Sequence, residues 1–197
     1  MPGVERAPVL AHHMDGRGER ITNLLIFRAY EHRLGLPIEF VSKVTPMVEV
    51  TPLPGAPAVV LGLVDIAGRL TPVFDVGQRL ERVRLSCRGS DRLLIADLGG
   101  GPIALAVNDV IGVEDVIGVE DVAASLAQAP VVPPGNLDHI KGITTTPDGI
   151  VLIQDLDRFL SAAEEEQLQQ AMVRQRSADD DAADTTKNNG AGAPPVG

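Results

Sequence analysis

The sequence predicts a mainly β protein made of small barrels. Short apolar runs recur along the middle of the chain, and prolines and glycines separate them. Only one stretch, near the C-terminal end, has a clear helical pattern. A regular alternation of strands with helices, typical of a parallel α/β sheet, is missing.

The apolar runs are placed as predicted strands in chain order. Residues 24–27 and 34–38 form a predicted hairpin around a polar turn at 31–33, and a glycine triplet at 99–101 joins another pair. The predicted strands lie at residues 24–27, 34–38, 41–50, 59–66, 70–76, 93–98, 103–107 and 150–153.

The predicted helix covers about residues 161–175. Ser161 and Glu164 form a capping box, in which each side chain satisfies a free backbone N–H at the helix start. An apolar stripe follows at helical spacing, and it indicates either packing on the β core or docking of a partner. Its members are Leu160, Ala163, Leu168, Ala171 and Met172.

The two ends of the chain differ from the middle in composition. Residues 1–20 mix prolines, glycines and charges without a period, and residues 177–197 contain almost no bulky apolar side chain. Such segments gain too little from burial to offset the entropy cost of ordering. We therefore expect one domain over residues 21–176 between two disordered ends.

Residues 109–114 read Asp-Val-Ile-Gly-Val-Glu, and residues 115–120 repeat them without a change. Because six is an even number, a strand that carries the repeat keeps the same side chains on the same face. Either copy is therefore able to pair in the sheet, and we expect the other to form a bulge or loop.

Charge and motifs exclude several classes of function. The net charge of −10 argues against nucleic acid as a partner. No apolar run is long enough to span a membrane, no signal peptide is recognisable, and the single Cys87 suits a reducing compartment, so we expect a cytoplasmic protein. No catalytic, metal-binding or cofactor-binding motif is found. Cys87 among arginines leaves a β-barrel enzyme or ligand binder as a minor alternative.

One segment carries a family resemblance. Residues 62–76 read GLVDIAGRLTPVFDV and resemble the signature of CheW-like chemotaxis coupling proteins, roughly Gly-apolar-apolar-Asn-Leu-Arg-Gly-x-x-x-Pro-apolar-apolar-Asp-Leu. Other segments resemble family features in the same order, so that the likeness covers about residues 22–172. These segments are residues 24–27, 34–38, 53–57, 105–110, 140–143 and 150–160.

The resemblance implies two intertwined five-stranded SH3-like barrels, a C-terminal helix and no enzymatic activity. It also implies an adaptor that binds the regulatory domain of a CheA-like histidine kinase and the cytoplasmic tip of a chemoreceptor, at membrane-bound arrays. Carried over by position, the partner-binding residues are Val41, Lys43, Leu61, Gly62, Val64, Asp65, Ala67 and Gly68, while Pro72 and Asp75 hold strand geometry.

Besides Asp65 in place of the pattern's asparagine, the sequence departs from the family pattern at two of these positions. Ala67 stands where the family has an arginine that serves partner contacts, and Lys43 aligns with a common glutamate. These changes motivate an alternative function, in which a diverged CheW-like regulator caps or competes within kinase arrays without bridging receptor and kinase.

Overall fold

The computed structural model describes residues 13–14, 20–81, 89–97, 101–117, 119–121 and 138–188. The elements in this part of the chain are β1 (His13–Met14), β2 (Arg20–Ala29), β3 (His32–Pro37), β4 (Val41–Pro46), β5 (Val60–Ile66), β6 (Arg69–Asp75), α1 (Val76–Glu81), β7 (Arg92–Asp97), β8 (Pro102–Val107), β9 (Asp109–Ile117), β10 (Glu120–Asp121), β11 (Ile140–Thr146), β12 (Gly149–Gln154) and α2 (Ala162–Asn188).

The strands form two sheets. The first sheet has the order β1-β2-β3-β12-β11-β10, with β9 also paired to β2. Without the two-residue strands β1 and β10, it contains five principal strands. The second sheet has five strands in the order β4-β7-β8-β6-β5. The fold is therefore mainly β, as the sequence predicts, with two five-stranded sheets, as the family resemblance implies.

The two sheets are intertwined along the chain. The hairpin of β2 and β3 joins the C-terminal strands, because β3 pairs in parallel with β12. The second sheet lies between them in sequence. It curls on itself: Thr51, just beyond the edge strand β4, exchanges backbone hydrogen bonds of 2.8 and 2.9 Å with Leu63 of the opposite edge strand β5. This closure is consistent with a barrel.

Apolar residues on both faces of the strands supply three cores. Alternate side chains point to opposite faces of a strand, so each continuous apolar run divides between two cores. In β7, Leu93 and Ile95 lie in the second sheet's own core, whereas Leu94 and Ala96 face a larger core shared with the first sheet. The first sheet's own core contains Leu24, Ile26, Val116, Val151 and Ile153. The shared core includes Leu25, Phe27, Leu34, Leu36, Phe74, Leu94, Leu105, Val107, Leu152, Phe159 and Leu168.

Helix α2 begins where the capping box predicts. The Glu164 carboxylate accepts the backbone N–H of Ser161 at 2.9 Å, and the Ser161 hydroxyl accepts the N–H of Glu164 at 3.3 Å. Leu168 and Ala171 are buried in the shared core, and Leu160 and Met172 pack against it. The stripe thus packs on the β core, apart from the exposed Ala163.

The predicted end of this helix at about residue 175 is wrong, since the helix continues to Asn188. A helix that has formed its costly first turn adds further residues without a new nucleation step, even though alanines and one lysine are the only strong helix formers among residues 177–188. At the other end, His13–Met14 pairs with β2 inside the segment expected to be disordered. The domain limits at 20/21 and 176/177 stay predictions.

The duplicated segment pairs differently from the prediction. Strand β9 uses the whole first copy and continues into the second as far as Ile117, with a bulge at Ile111. Glu120 and Asp121 then pair with β11 on the other side of the sheet. The expectation that one copy is left as a loop or bulge is wrong, because the ten-residue β2 offers more partners than one copy fills.

A cluster of five side chains, which we call the junction cluster, joins the two sheets to α2. The Phe159 ring contacts Phe74 of the second sheet, with centroids 5.7 Å apart, and His139 beside the first sheet, at 6.2 Å. The Arg79 guanidinium lies 5.4 Å from the Phe159 centroid and bonds Glu164 at 2.9 Å. Burial alone raises the pKa of Glu164, but the Ser161 N–H and Arg79 outweigh it and hold the pKa below its ordinary value.

Protonation of His139 would destabilise the junction cluster. Its side chain is 1% exposed, and neither ring nitrogen has a hydrogen-bond partner among the described residues. Burial lowers its pKa to about 4, Arg79 adds to this effect, and Asp138 opposes it. The neutral ring is therefore the form that the fold accommodates.

Acidification should destabilise the protein through His139. Above pH 6.5 the histidine is neutral in both the folded and the unfolded state. Between pH 6.5 and 4 the unfolded chain binds a proton that the folded chain does not. The free energy of unfolding therefore decreases as the pH is lowered through this range. The loss amounts to roughly 3 kcal/mol at most. Urea unfolding of the protein and of His139→Leu at several pH values measures it, and the variant should show a flatter profile.

Thr144→Val is the matched control, because Thr144 is buried with an unpartnered hydroxyl but does not titrate in this range. It should change stability without changing the slope against pH. Equal slopes for His139→Leu and the unchanged protein would contradict the assignment.

Candidate partner-binding surface

Six of the eight predicted partner-binding residues lie on the hairpin of β5 and β6. Ile66 pairs with Arg69, so Ala67 and Gly68 form a two-residue turn. Both have positive φ angles, 54° and 81°, as a type I′ turn requires. The Asp65 carboxylate accepts the Gly68 N–H at 2.6 Å and fixes this turn.

The tip of this hairpin is open to a partner. Asp65, Ala67 and Gly68 are exposed, as is Arg69, while Leu61 is half-buried against the core of the second sheet. An alanine at φ 54° is held in a conformation that non-glycine residues rarely adopt. The tip is thus a rigid, solvent-facing turn whose geometry does not depend on the missing arginine.

Gly62 and Val64 support the surface from inside. Val64 is 3% exposed and belongs to the second sheet's core. Gly62 is buried with φ 154°, and a Cβ atom there would overlap the Thr51 carbonyl that closes the sheet. Neither residue is available to touch a partner, and both hold the hairpin in position.

Val41 and Lys43 lie on β4, the opposite edge strand of the second sheet. Lys43 is exposed and pairs with Ile95 of β7, while Val41 is half-buried against the shared core. The eight predicted residues therefore occupy both edge strands of one sheet rather than a single cluster, and residues 47–51 connect those edges.

Sequence reasoning missed a groove of mixed polar and apolar lining beside the hairpin. A cavity of about 780 Å³ lies between the hairpin and α2, and its rim carries charges of both signs. Leu70, which pairs with Asp65, is 42% exposed at this groove. Strand alternation puts Leu70 on the same face as Pro72 and Phe74, which could have indicated it. Other lining residues are Arg69, Ile103, Asp157, Leu160, Glu165, Met172 and Arg176.

Among the described residues, no group of three His, Cys, Asp or Glu side chains could hold a metal ion. Cys87 and its neighbours Arg82, Arg84 and Arg88 lie outside the described residues. In the same part of the chain, no helix has the length and apolar character needed to cross a bilayer.

Two intertwined five-stranded sheets with an exposed hairpin and an adjoining groove form a mainly β module that is consistent with paired barrels. The CheW-like domain model matches residues 23–164, and the chain belongs to this family. A similar fold occurs in the crystal structure of the scaffolding protein TtCheW from Thermoanaerobacter tengcongensis, with a TM-score of 0.62, 23% identity, and coverage of 73% of this chain and 94% of that chain. No curated protein matches the sequence. The family is one of scaffold and adaptor proteins in chemotaxis.

Two glycines of the hairpin should respond differently to alanine. Gly68→Ala has open space around the new Cβ and meets only the cost of a positive φ, about 1 kcal/mol. Gly62→Ala adds a clash with the Thr51 carbonyl and should cost ~3 kcal/mol or more. Urea unfolding of both variants measures the difference in the free energy of unfolding. Equal losses of stability would show that the close approach of Thr51 to β5 does not depend on a glycine at position 62.

Proposed function

We propose that this protein is a non-enzymatic adaptor that couples the cytoplasmic tips of chemoreceptors to the regulatory domain of a CheA-type histidine kinase. The observation that carries the proposal is the family match over residues 23–164, which includes both sheets and all eight candidate residues. Such a protein works by holding two partners so that one biases the conformational equilibrium of the other.

The surface of the second sheet supports the kinase contact. The hairpin tip offers exposed polar groups at Asp65 and Arg69, and Leu70 offers an apolar side chain beside them. Apolar anchors surrounded by a charged rim are the usual composition of a protein interface. The groove between the hairpin and α2 extends this surface to the helix, and we place the contact with the second partner there.

The departures from the family pattern fall on exposed atoms. Because Ala67 and Lys43 are both exposed, neither change leaves a buried charge without a partner inside this protein. Rim charges act chiefly on association rate, salt dependence and the choice of partner. We therefore expect a cognate kinase whose contact surface carries an acidic group opposite Lys43.

The same two residues favour an alternative function. A regulator that binds the kinase but not the receptor, and so caps or competes within the array, needs only part of the family's contacts. Either role places the protein in the cytoplasm, recruited to membrane-bound receptor arrays.

Binding to the kinase regulatory domain should be measured by size-exclusion co-elution at tens of micromolar. We expect the native protein to co-elute, and Lys43→Glu to weaken binding by about tenfold because it reverses a rim charge. Ala67→Arg keeps a Cβ at the same positive φ, so it changes the surface without changing the turn, and it should leave kinase binding within about threefold.

Lys141→Glu is the matched charge reversal, since Lys141 is exposed on β11 of the first sheet. It should leave co-elution unchanged. Binding only after Ala67→Arg would show that the coupling role has been lost. If Lys43→Glu and Lys141→Glu had equal effects on binding, β4 would not be part of the kinase interface.

A further inference from the structure

The exact duplication of residues 109–114 gives β2 two equivalent partners. In the structure, eight residues of β2 pair with β9, from Arg28 opposite Asp109 to Ile21 opposite Ile117. Moving β9 by six residues puts an identical residue opposite seven of these eight positions. The bulged residue is isoleucine in both cases, Ile111 or Ile117. By sequence, the single difference is Ala123, which would take the place of Ile117; residues 118, 122 and 123 lie outside the described part of the chain.

The side-chain contacts of β9 also survive such a shift. Glu114 forms an ion pair with Arg33 at 3.2 Å, and the shift offers Glu120 at the same position. Val116 is 4% exposed in the first sheet's own core, and the shift offers Val122 there. Because the bulge moves with the repeat, each position opposite β2 other than that of Ile117 keeps its residue type, although Val116 itself passes from the face of the first sheet's own core to the face of the shared core.

Three contacts favour the register that the structure shows. Asn108 accepts the Tyr30 N–H at 2.6 Å and donates its own N–H to the Arg28 carbonyl at 2.9 Å. Glu120 and Asp121 pair with β11. A shift gives up these contacts, so the second register is the less populated one.

The shift would change how the two sheets are connected. Strand β8 of the second sheet ends at Val107 and β9 of the first sheet begins at Asp109, so Asn108 alone links them. In the shifted register the whole first copy joins Asn108 in that link. A one-residue link holds the end of β8 next to the start of β9, whereas a link of seven residues (Asn108 plus the six of the first copy) lets those two ends separate.

We propose that β9 pairs with β2 in two registers six residues apart, and that exchange between them switches the link between the sheets from short to long. This exchange between registers does not depend on which partners the protein binds. It gives the chain two arrangements that a partner is able to select by binding one of them more tightly.

Charged substitutions at the two equivalent valines test the proposal in the full chain. In the register of the structure, Val116→Asp puts an unpaired carboxylate in the first sheet's own core, whereas in the shifted register this residue takes the half-buried place of Val110 beside the shared core. Val122→Asp puts a carboxylate in the first sheet's own core only in the shifted register. With both registers available, Val116→Asp should lower the melting temperature by less than about half as much as the double variant, which blocks both and should lose roughly 10 °C or more. A loss from Val116→Asp equal to that of the double variant would overturn the proposal.

Disulfide formation gives a second measurement in the Cys87→Ser background, where no native thiol competes. Asn23 faces Asp115 in the structure and would face Asp121 after the shift. The pair Asn23→Cys with Asp121→Cys should oxidise roughly tenfold faster than the off-register pair Asn23→Cys with Val119→Cys, because only the former meets directly. Equal rates would count against a second register whatever the stability of the valine variants.

Discussion

The structure depends on strands that are apolar on both faces. Leu94 of β7 faces the shared core while its neighbours Leu93 and Ile95 face the core of their own sheet. A sheet with one wet face would show polar residues at alternate positions, whereas the central strand β7 is apolar and buried from Leu93 to Ala96. The second sheet is therefore covered twice, once by curling on itself and once by the first sheet and α2. Because the hairpin of β2 and β3 belongs to the sheet of the last strands, the first sheet is complete only when both ends of the domain are present, whereas the strands of the second sheet all lie within residues 41–107.

This constraint decides where a partner is able to bind. With both faces buried, the accessible parts are the edge strands, the hairpin tips and the groove between the hairpin and α2. The candidate residues on β4 and β5 occupy the edges of the second sheet, and the junction cluster around Phe159 ties that sheet to the first. A contact at the hairpin is thus linked to the helix and the first sheet through packed side chains, which suits a protein that passes a conformational bias between partners.

The sequence predicts most of the fold and only part of the site. Apolar runs locate the principal strands, and the Ser161–Glu164 capping box locates the start of α2. The turn of the first hairpin is Tyr30 and Glu31 rather than 31–33, since the Asn108 side chain accepts the Tyr30 N–H, a contact between residues far apart in sequence. The burial of Val64 and the position of Lys43 on the opposite edge also follow from long-range pairing, which local patterns do not encode. Likewise, the repeat alone does not determine which register β9 takes.

The central claim is that one molecule of this protein bridges a receptor and a kinase. The most direct measurement is the mass of complexes formed from a kinase regulatory domain and a receptor cytoplasmic tip, by light scattering after size exclusion, with and without this protein. The account predicts that the two partners elute apart when alone and together, at the summed mass of three components, when the protein is added. Binary complexes with the kinase domain that exclude the receptor tip would contradict it and identify a capping or competing regulator instead.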